Sequence, residues 1–167
     1  MSVSGSADGA LHKAWGVAFR SSTRRDGALV IGSGPGEWLL LGAPGKARQL
    51  TEQVRSQAGE DFATSVDLTH GRALMRLTGA DAARMLSKVC AVDLSDAVTP
   101  DGAAFRTSVA KVSTDVVRDD AGGGGAVPSY LLHCERSSGQ YLFDCLLDAG
   151  KEFGIEPAGS DLDGKDA

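Results

Sequence analysis

Apolar and polar positions along the chain switch repeatedly between two periods. Residues 28–31 and 37–41 are short apolar runs joined by Gly32-Ser33-Gly34-Pro35-Gly36, which predicts two strands and a tight turn. From residue 45 to 58 the period becomes helical. Ala47, Leu50, Val54 and Ala58 fall on one stripe, and Gly59 stops it. The plan then returns with a strand at 65–68, a turn at His70-Gly71 and a strand at 72–77. In that strand Ala73, Met75 and Leu77 alternate with Arg72 and Arg76 on the other face. Thr78, with Asp81 three residues on, is placed to cap a helix whose stripe is Ala82, Met85, Leu86, Val89 and Cys90. A third pass predicts strands at 105–109, 112–118 and 129–135. A last helix, 138–152, carries Leu142, Cys145, Leu146 and Ala149 at i, i+3, i+4 and i+7. Strand pairs joined by turns and followed by helices predict an α+β fold, a single compact domain of repeated strand-strand-helix units. A doubly wound parallel sheet needs a helix between every pair of strands.

The regular plan covers residues 28–158. Residues 1–27 precede it as an arm. Its segment Leu11-His12-Lys13-Ala14-Trp15-Gly16-Val17-Ala18-Phe19 has no evident partner in the first strand pair, so it is expected to pack along another chain. Asp119 to Pro128 contains four consecutive glycines and is expected to be a flexible loop between two strands. It is not a phosphate cradle, because a cradle needs a helix directly afterwards. Residues 159–167 bury almost nothing and are expected to be a disordered tail.

Composition narrows the class. The chain has 167 residues, of which 42% are hydrophobic and 23% charged, and this excludes a mainly disordered protein. No apolar run approaches the ~20 residues that span a bilayer, and the first ten residues lack a signal-peptide core. A net charge of −5 argues against nucleic-acid and membrane-surface partners. Three cysteines, an odd number, fit reduced thiols in the cytoplasm better than a disulfide framework.

Candidate chemistry is sparse. Gly32-Ser33-Gly34-Pro35-Gly36 fails as a dinucleotide fingerprint, since Glu37 stands where its third glycine belongs and a strand follows. Asp67 and His70 could form an acid–base pair, but a turn histidine explains them more simply. His133, Cys134 and Cys145 lack metal-ligand spacing, and the two cysteines fit apolar stripes. Cys90 near Lys88 could be a reactive thiol, but it lies on a buried stripe. Arg24-Arg25-Asp26 reads as a solvated loop. No Gly-x-Ser-x-Gly elbow occurs. The residues present no catalytic constellation, and neither cofactor-binding nor metal-binding residues can be assigned.

Two stretches carry a resemblance. Val66-Asp67-Leu68-Thr69-His70-Gly71, continuing through Leu77-Thr78-Gly79-Ala80-Asp81-Ala82 to Leu86, resembles a signature of the aminomethyltransferase (glycine-cleavage T-protein) superfamily. Phe143-Asp144, continuing through Ala149-Gly150 to Pro157-Ala158-Gly159, is similar to a second stretch of that superfamily. Gly34-Pro35-Gly36-Glu37-Trp38-Leu39-Leu40-Leu41 and Lys88-Val89-Cys90-Ala91-Val92-Asp93-Leu94 further resemble the gamma-subunit family of heterotetrameric sarcosine oxidases. Val89 stands where that family has glycine.

The resemblance implies a T-protein-like folate-binding-domain architecture and a non-catalytic gamma subunit of a cytoplasmic flavoenzyme heterotetramer. That complex oxidises sarcosine to glycine and passes the one-carbon unit to tetrahydrofolate. Its partners would be a large flavin-bearing alpha subunit, with beta and delta subunits. FAD, FMN, NAD and tetrahydrofolate would sit in those partners, and no cofactor is expected on this chain alone. Where T-proteins carry two consecutive acids, this chain has Thr114-Asp115, so Asp115 is the one remaining candidate for a folate contact, with Asp67 as an alternative. Two other functions are compatible with the superfamily: a stand-alone folate-binding or one-carbon transfer domain, and a folate-dependent iron–sulfur assembly factor, for which Lys88 and Cys90 are the matching residues.

Overall fold

The computed structural model describes residues 1–120 and 127–159. Its strands are β1 (Ser2–Gly5), β2 (Ser22–Arg25), β3 (Ala28–Gly34), β4 (Glu37–Gly42), β5 (Ala63–Val66), β6 (Arg72–Thr78), β7 (Ala104–Val109), β8 (Val112–Arg118) and β9 (Ser129–Glu135). The α-helices are α1 (Ala10–Trp15), α2 (Ala47–Ala58), α3 (Ala82–Leu86) and α4 (Gly139–Gly150). The strands form two antiparallel sheets, ordered β2-β3-β4-β1-β5 and β6-β9-β8-β7.

The alternation along each strand explains the layering. On β3, Ala28 and Val30 pack with Leu50 and Val54 of α2, while Leu29 and Ile31 point the other way. There they meet Ala104, Val117 and Leu131 of the second sheet. On β9, Tyr130, Leu132 and Cys134 pack with Leu142 and Leu146 of α4 and with Met85 and Leu86 of α3. Both faces of each central strand are thus covered. This is why β3 and β9 read in sequence as nearly continuous apolar runs. The layers run helix, sheet, sheet, helix.

Most predicted elements from residue 28 onward recur with small boundary changes, but the helix expected to run from Thr78 through Cys90 is shortened to α3, and Cys90 lies beyond it on a bridge to Val109. Other features differ as well. The arm of residues 1–27 is part of the domain rather than a projection onto another chain. β1 lies inside the first sheet between β4 and β5, and Val3 is fully buried. Trp15 is buried edge-to-face on Trp38, with ring centroids 5.1 Å apart, and its indole N–H donates to Gln57 Oε1 at 2.6 Å. Arg24 and Arg25 belong to β2, and Asp26-Gly27 turns that strand into β3 with φ of 48° and 80°. Asp-Gly is a strong hairpin signal, which the solvated-loop reading passed over.

The second strand pair also differs. β5 and β6 do not form a hairpin. β5 pairs with β1 in the first sheet and β6 with β9 in the second, so the turn near His70 is a crossing between sheets. Thr78 ends β6 instead of capping α3, and its hydroxyl meets Ser129 Oγ at 3.0 Å. Asp81 takes the N-cap position and pairs with Arg84.

The Gly-Ser-Gly-Pro-Gly segment is the expected tight turn. Gly36 has φ of 70°, and a Cβ there would lie 2.3 Å from the Gly5 carbonyl oxygen, so the position demands glycine on two counts. Of the glycine-rich loop, residues 121–126 lie outside the described residues, as do 160–167 of the tail. Asp119 and Asp120 at the loop's start are tied down. Asp119 binds Arg24 and Arg76, and Asp120 binds the buried Arg118.

Candidate functional site between the sheets

Strand register lines up four side chains across the second sheet. Leu74 on β6 stands opposite His133 on β9, His133 opposite Asp115 on β8, and Asp115 opposite Arg106 on β7. All four share the parity of Leu131, the position that faces the first sheet. His133, Asp115 and Arg106 border a cavity of about 500 Å³ between the sheets. Ile31, Gly32 and Leu39 supply its other wall, with Phe19, Arg20, Glu37 and Arg72 towards its opening.

Asp115 is the centre of this row. Arg106 grips it with two parallel bonds, Nε to Oδ1 at 2.7 Å and Nη2 to Oδ2 at 2.9 Å. His133 Nδ1 lies 3.4 Å from the same Oδ2, and both residues are largely buried. Burial alone raises the pKa of such a carboxyl. The hydrogen bonds from His133 and Arg106 and the positive charge of Arg106 outweigh it and hold Asp115 down at about 2. The carboxylate is therefore ionised at neutral pH, with each oxygen already accepting a bond from its own chain. Such a group orients neighbours and receives N–H donors well, but it is a poor proton shuttle at neutral pH.

The other candidates are dispersed. Thr114 faces the opposite layer, fully buried, with its hydroxyl donating to the Val112 carbonyl. Asp67 is exposed and closes a local turn, accepting from the Thr69 hydroxyl and amide, and this lowers its pKa. His70 is exposed, and no hydrogen bond joins it to Asp67. Cys134 is buried beneath α4, and burial pushes its thiol's pKa up, which disfavours the reactive thiolate. Cys90 is buried on the bridge to Val109, while Lys88 reaches away to the Ala149 carbonyl and Glu152. Cys145 is a free thiol on α4. Among the described residues no cluster of three or more His, Cys, Asp or Glu is placed to hold a metal. No helix among them is long and apolar enough to cross a membrane.

Arg106 is the residue that sequence reasoning missed. Its signal was available in the alternation of β7, which puts Arg106 on the same face as Ala104. The residue it pairs with, however, is set by the β7–β8 register. His133, a candidate metal ligand by residue type, instead faces Asp115.

With the fold and the row in place, the chain can be set beside known proteins. The family model described as the GCVT N-terminal domain matches residues 22–162. No curated protein sequence matches the chain. Among solved structures, a chain of the heterotetrameric sarcosine oxidase from Corynebacterium sp. U-96, in complex with pyrrole 2-carboxylate, is similar in fold. Its TM-score is 0.75 at 24% identity, and the match covers 95% of this chain and 82% of that one.

Proposed function

Because the chain belongs to the GCVT N-terminal domain family, we propose that it is a non-catalytic, gamma-type subunit of a sarcosine oxidase-like flavoenzyme complex. The observation that carries this reading is the end-to-end character of the structural match. It takes in 95% of this chain and 82% of a chain from a heterotetrameric oxidase, so the two are of similar size as well as fold. The complex would oxidise the N-methyl group of sarcosine, with glycine as product and tetrahydrofolate as one-carbon acceptor. FAD, FMN, NAD and tetrahydrofolate would be held by the alpha, beta and delta partners in the cytoplasm. This chain's part would be to support the folate domain of the large subunit. The Asp115 row fits that part, since its charges are neutralised internally and brace the sheet.

The test is affinity purification of the tagged full chain from its own cells, followed by an absorbance spectrum. Larger chains with flavin absorption in the blue are the expected result. A lone, colourless chain overturns the reading.

A second reading, a stand-alone folate-binding domain, is favoured by the inter-sheet cavity with ionised Asp115 in its wall. Calorimetric titration of the full chain with tetrahydrofolate separates the two. Saturable heat that is lost in Asp115→Asn supports this alternative, and no heat sinks it.

A further inference from the structure

β6 is an edge strand, and its outer side is open. Hydrogen-bond parity shows which of its backbone groups are unused. Gly79 donates its amide to the Pro128 carbonyl, and Gly71 accepts from the Arg136 amide. Both pairs continue the β6–β9 register, so the odd-numbered residues between them turn their amides and carbonyls towards β9. Arg72, Leu74, Arg76 and Thr78 therefore present theirs outward, and no backbone bond to them from the described residues exists on that side.

The other edges are shorter or stitched. β2 and β5 have four residues each. β7 is bridged at one end by Cys90 and flanked at the other by the Ser21–Ala103 bridge. β6 runs for seven residues without proline or bulge. Long free edges of this kind invite pairing with another chain.

The surroundings fit an incoming strand. A groove of about 1150 Å³ follows β6 from Leu74 to Thr78. Phe143 and Leu147 of α4, Phe153, Ile155 and Pro157 make one apolar wall, with Glu156 the charge beside them. Leu29, Leu41 and Arg24 make the other. Leu74 is 51% exposed although it heads the inter-sheet row. Charge sets the occupant's chemistry. Arg24 and Arg76 converge on the single carboxylate of Asp119, at 2.6 and 2.5 Å, so that among the described residues two guanidinium groups share one paired carboxylate on this rim, with Glu156 beside the opposite wall. Arg72 is balanced by Glu135 at 3.0 Å.

We infer that β6 is a docking edge for an extended segment of a partner protein, which adds to the second sheet as an antiparallel or parallel strand. That segment places an apolar side chain over Leu74 and an acidic one beside Arg76. The inference rests on the subunit reading, and the partner is a larger chain of the same complex.

Amide hydrogen exchange tests it, with the full chain measured alone and in the complex purified from its own cells. Alone, the amides of Arg72, Leu74, Arg76 and Thr78 exchange rapidly. In the complex they slow at least tenfold. A complex that forms with these amides still rapid overturns the inference but leaves the subunit reading intact. A chain that captures no partner overturns both. Protection in the pure chain that grows with its concentration assigns the edge to a second copy and overturns the inference. So does protection that vanishes when residues 160–167 are removed.

Two variants complete the test. Leu74→Pro removes one outward amide and no β6–β9 bond. Leu74→Lys keeps the backbone and places a like charge beside Arg76. Each is expected to melt as wild type and to retain at least tenfold less partner. Full retention by a folded Leu74→Lys protein overturns the inference.

Discussion

Replacing Asp115 by asparagine separates charge from shape at the centre of the inter-sheet row. The substitution keeps the side chain's size and one acceptor oxygen but removes the negative charge that Arg106 and His133 share. A carboxyl held at about 2 in the fold, against 3.8 unfolded, corresponds to about 2.4 kcal/mol of preference for the ionised form. Asp115 is well covered, at 17% side-chain exposure, but Arg106 is 61% exposed, so water screens part of the pair. The expected loss for Asp115→Asn at pH 7 is about 1–2 kcal/mol. Because the folded-state value is the lower one, this contribution is fully present above pH 3.8 and is lost as the pH falls through about 2. Urea unfolding of wild type and variant from pH 7 downward measures the gap. It should narrow through this window and close near the bottom, where wild-type Asp115 is itself protonated. A gap that stays constant across the window would mean that packing, not charge, is what asparagine disturbs.

Two further outcomes follow from the packing. Trp15→Ala should cost the isolated chain about 3–5 kcal/mol in denaturant unfolding, because it empties a buried space against Trp38 and strands Gln57. A loss below about 1 kcal/mol would show that the first 27 residues are not part of this domain's core. Arg118→Leu should cost about 3–5 kcal/mol. Arg118 bonds Asp120, Asp96 and the Thr99 carbonyl from a buried position, and its removal leaves the covered Asp120 carboxylate without its cation. Urea melts at neutral pH check this, and a near-neutral variant would show that Asp120 finds water instead.

The family resemblance and most of the elements are legible in the sequence, and the reason is local. Val30 and Leu40 belong to short apolar runs bounded by glycine turns, the pattern of buried strands, and Leu50 and Val54 repeat at a helical period. Gly36 follows proline in a turn that requires a positive φ. What could not be read was partnership between distant segments. β1 holds four residues with no alternation long enough to stand out, and its place between β4 and β5 comes from pairing across more than thirty residues. The turn near His70 resembles a hairpin locally, yet it carries the chain from one sheet to the other. Asp115 was a marked residue in the sequence, but its meaning depends on Arg106 and His133, which the registers of β7 and β9 bring to it. The sequence by itself determined which residues prefer helix, strand or turn and which faces are apolar, since these are properties of short windows. The tertiary structure alone decided which strands share a sheet, which edge stays open and which charges meet, because those depend on contacts between residues far apart in the chain.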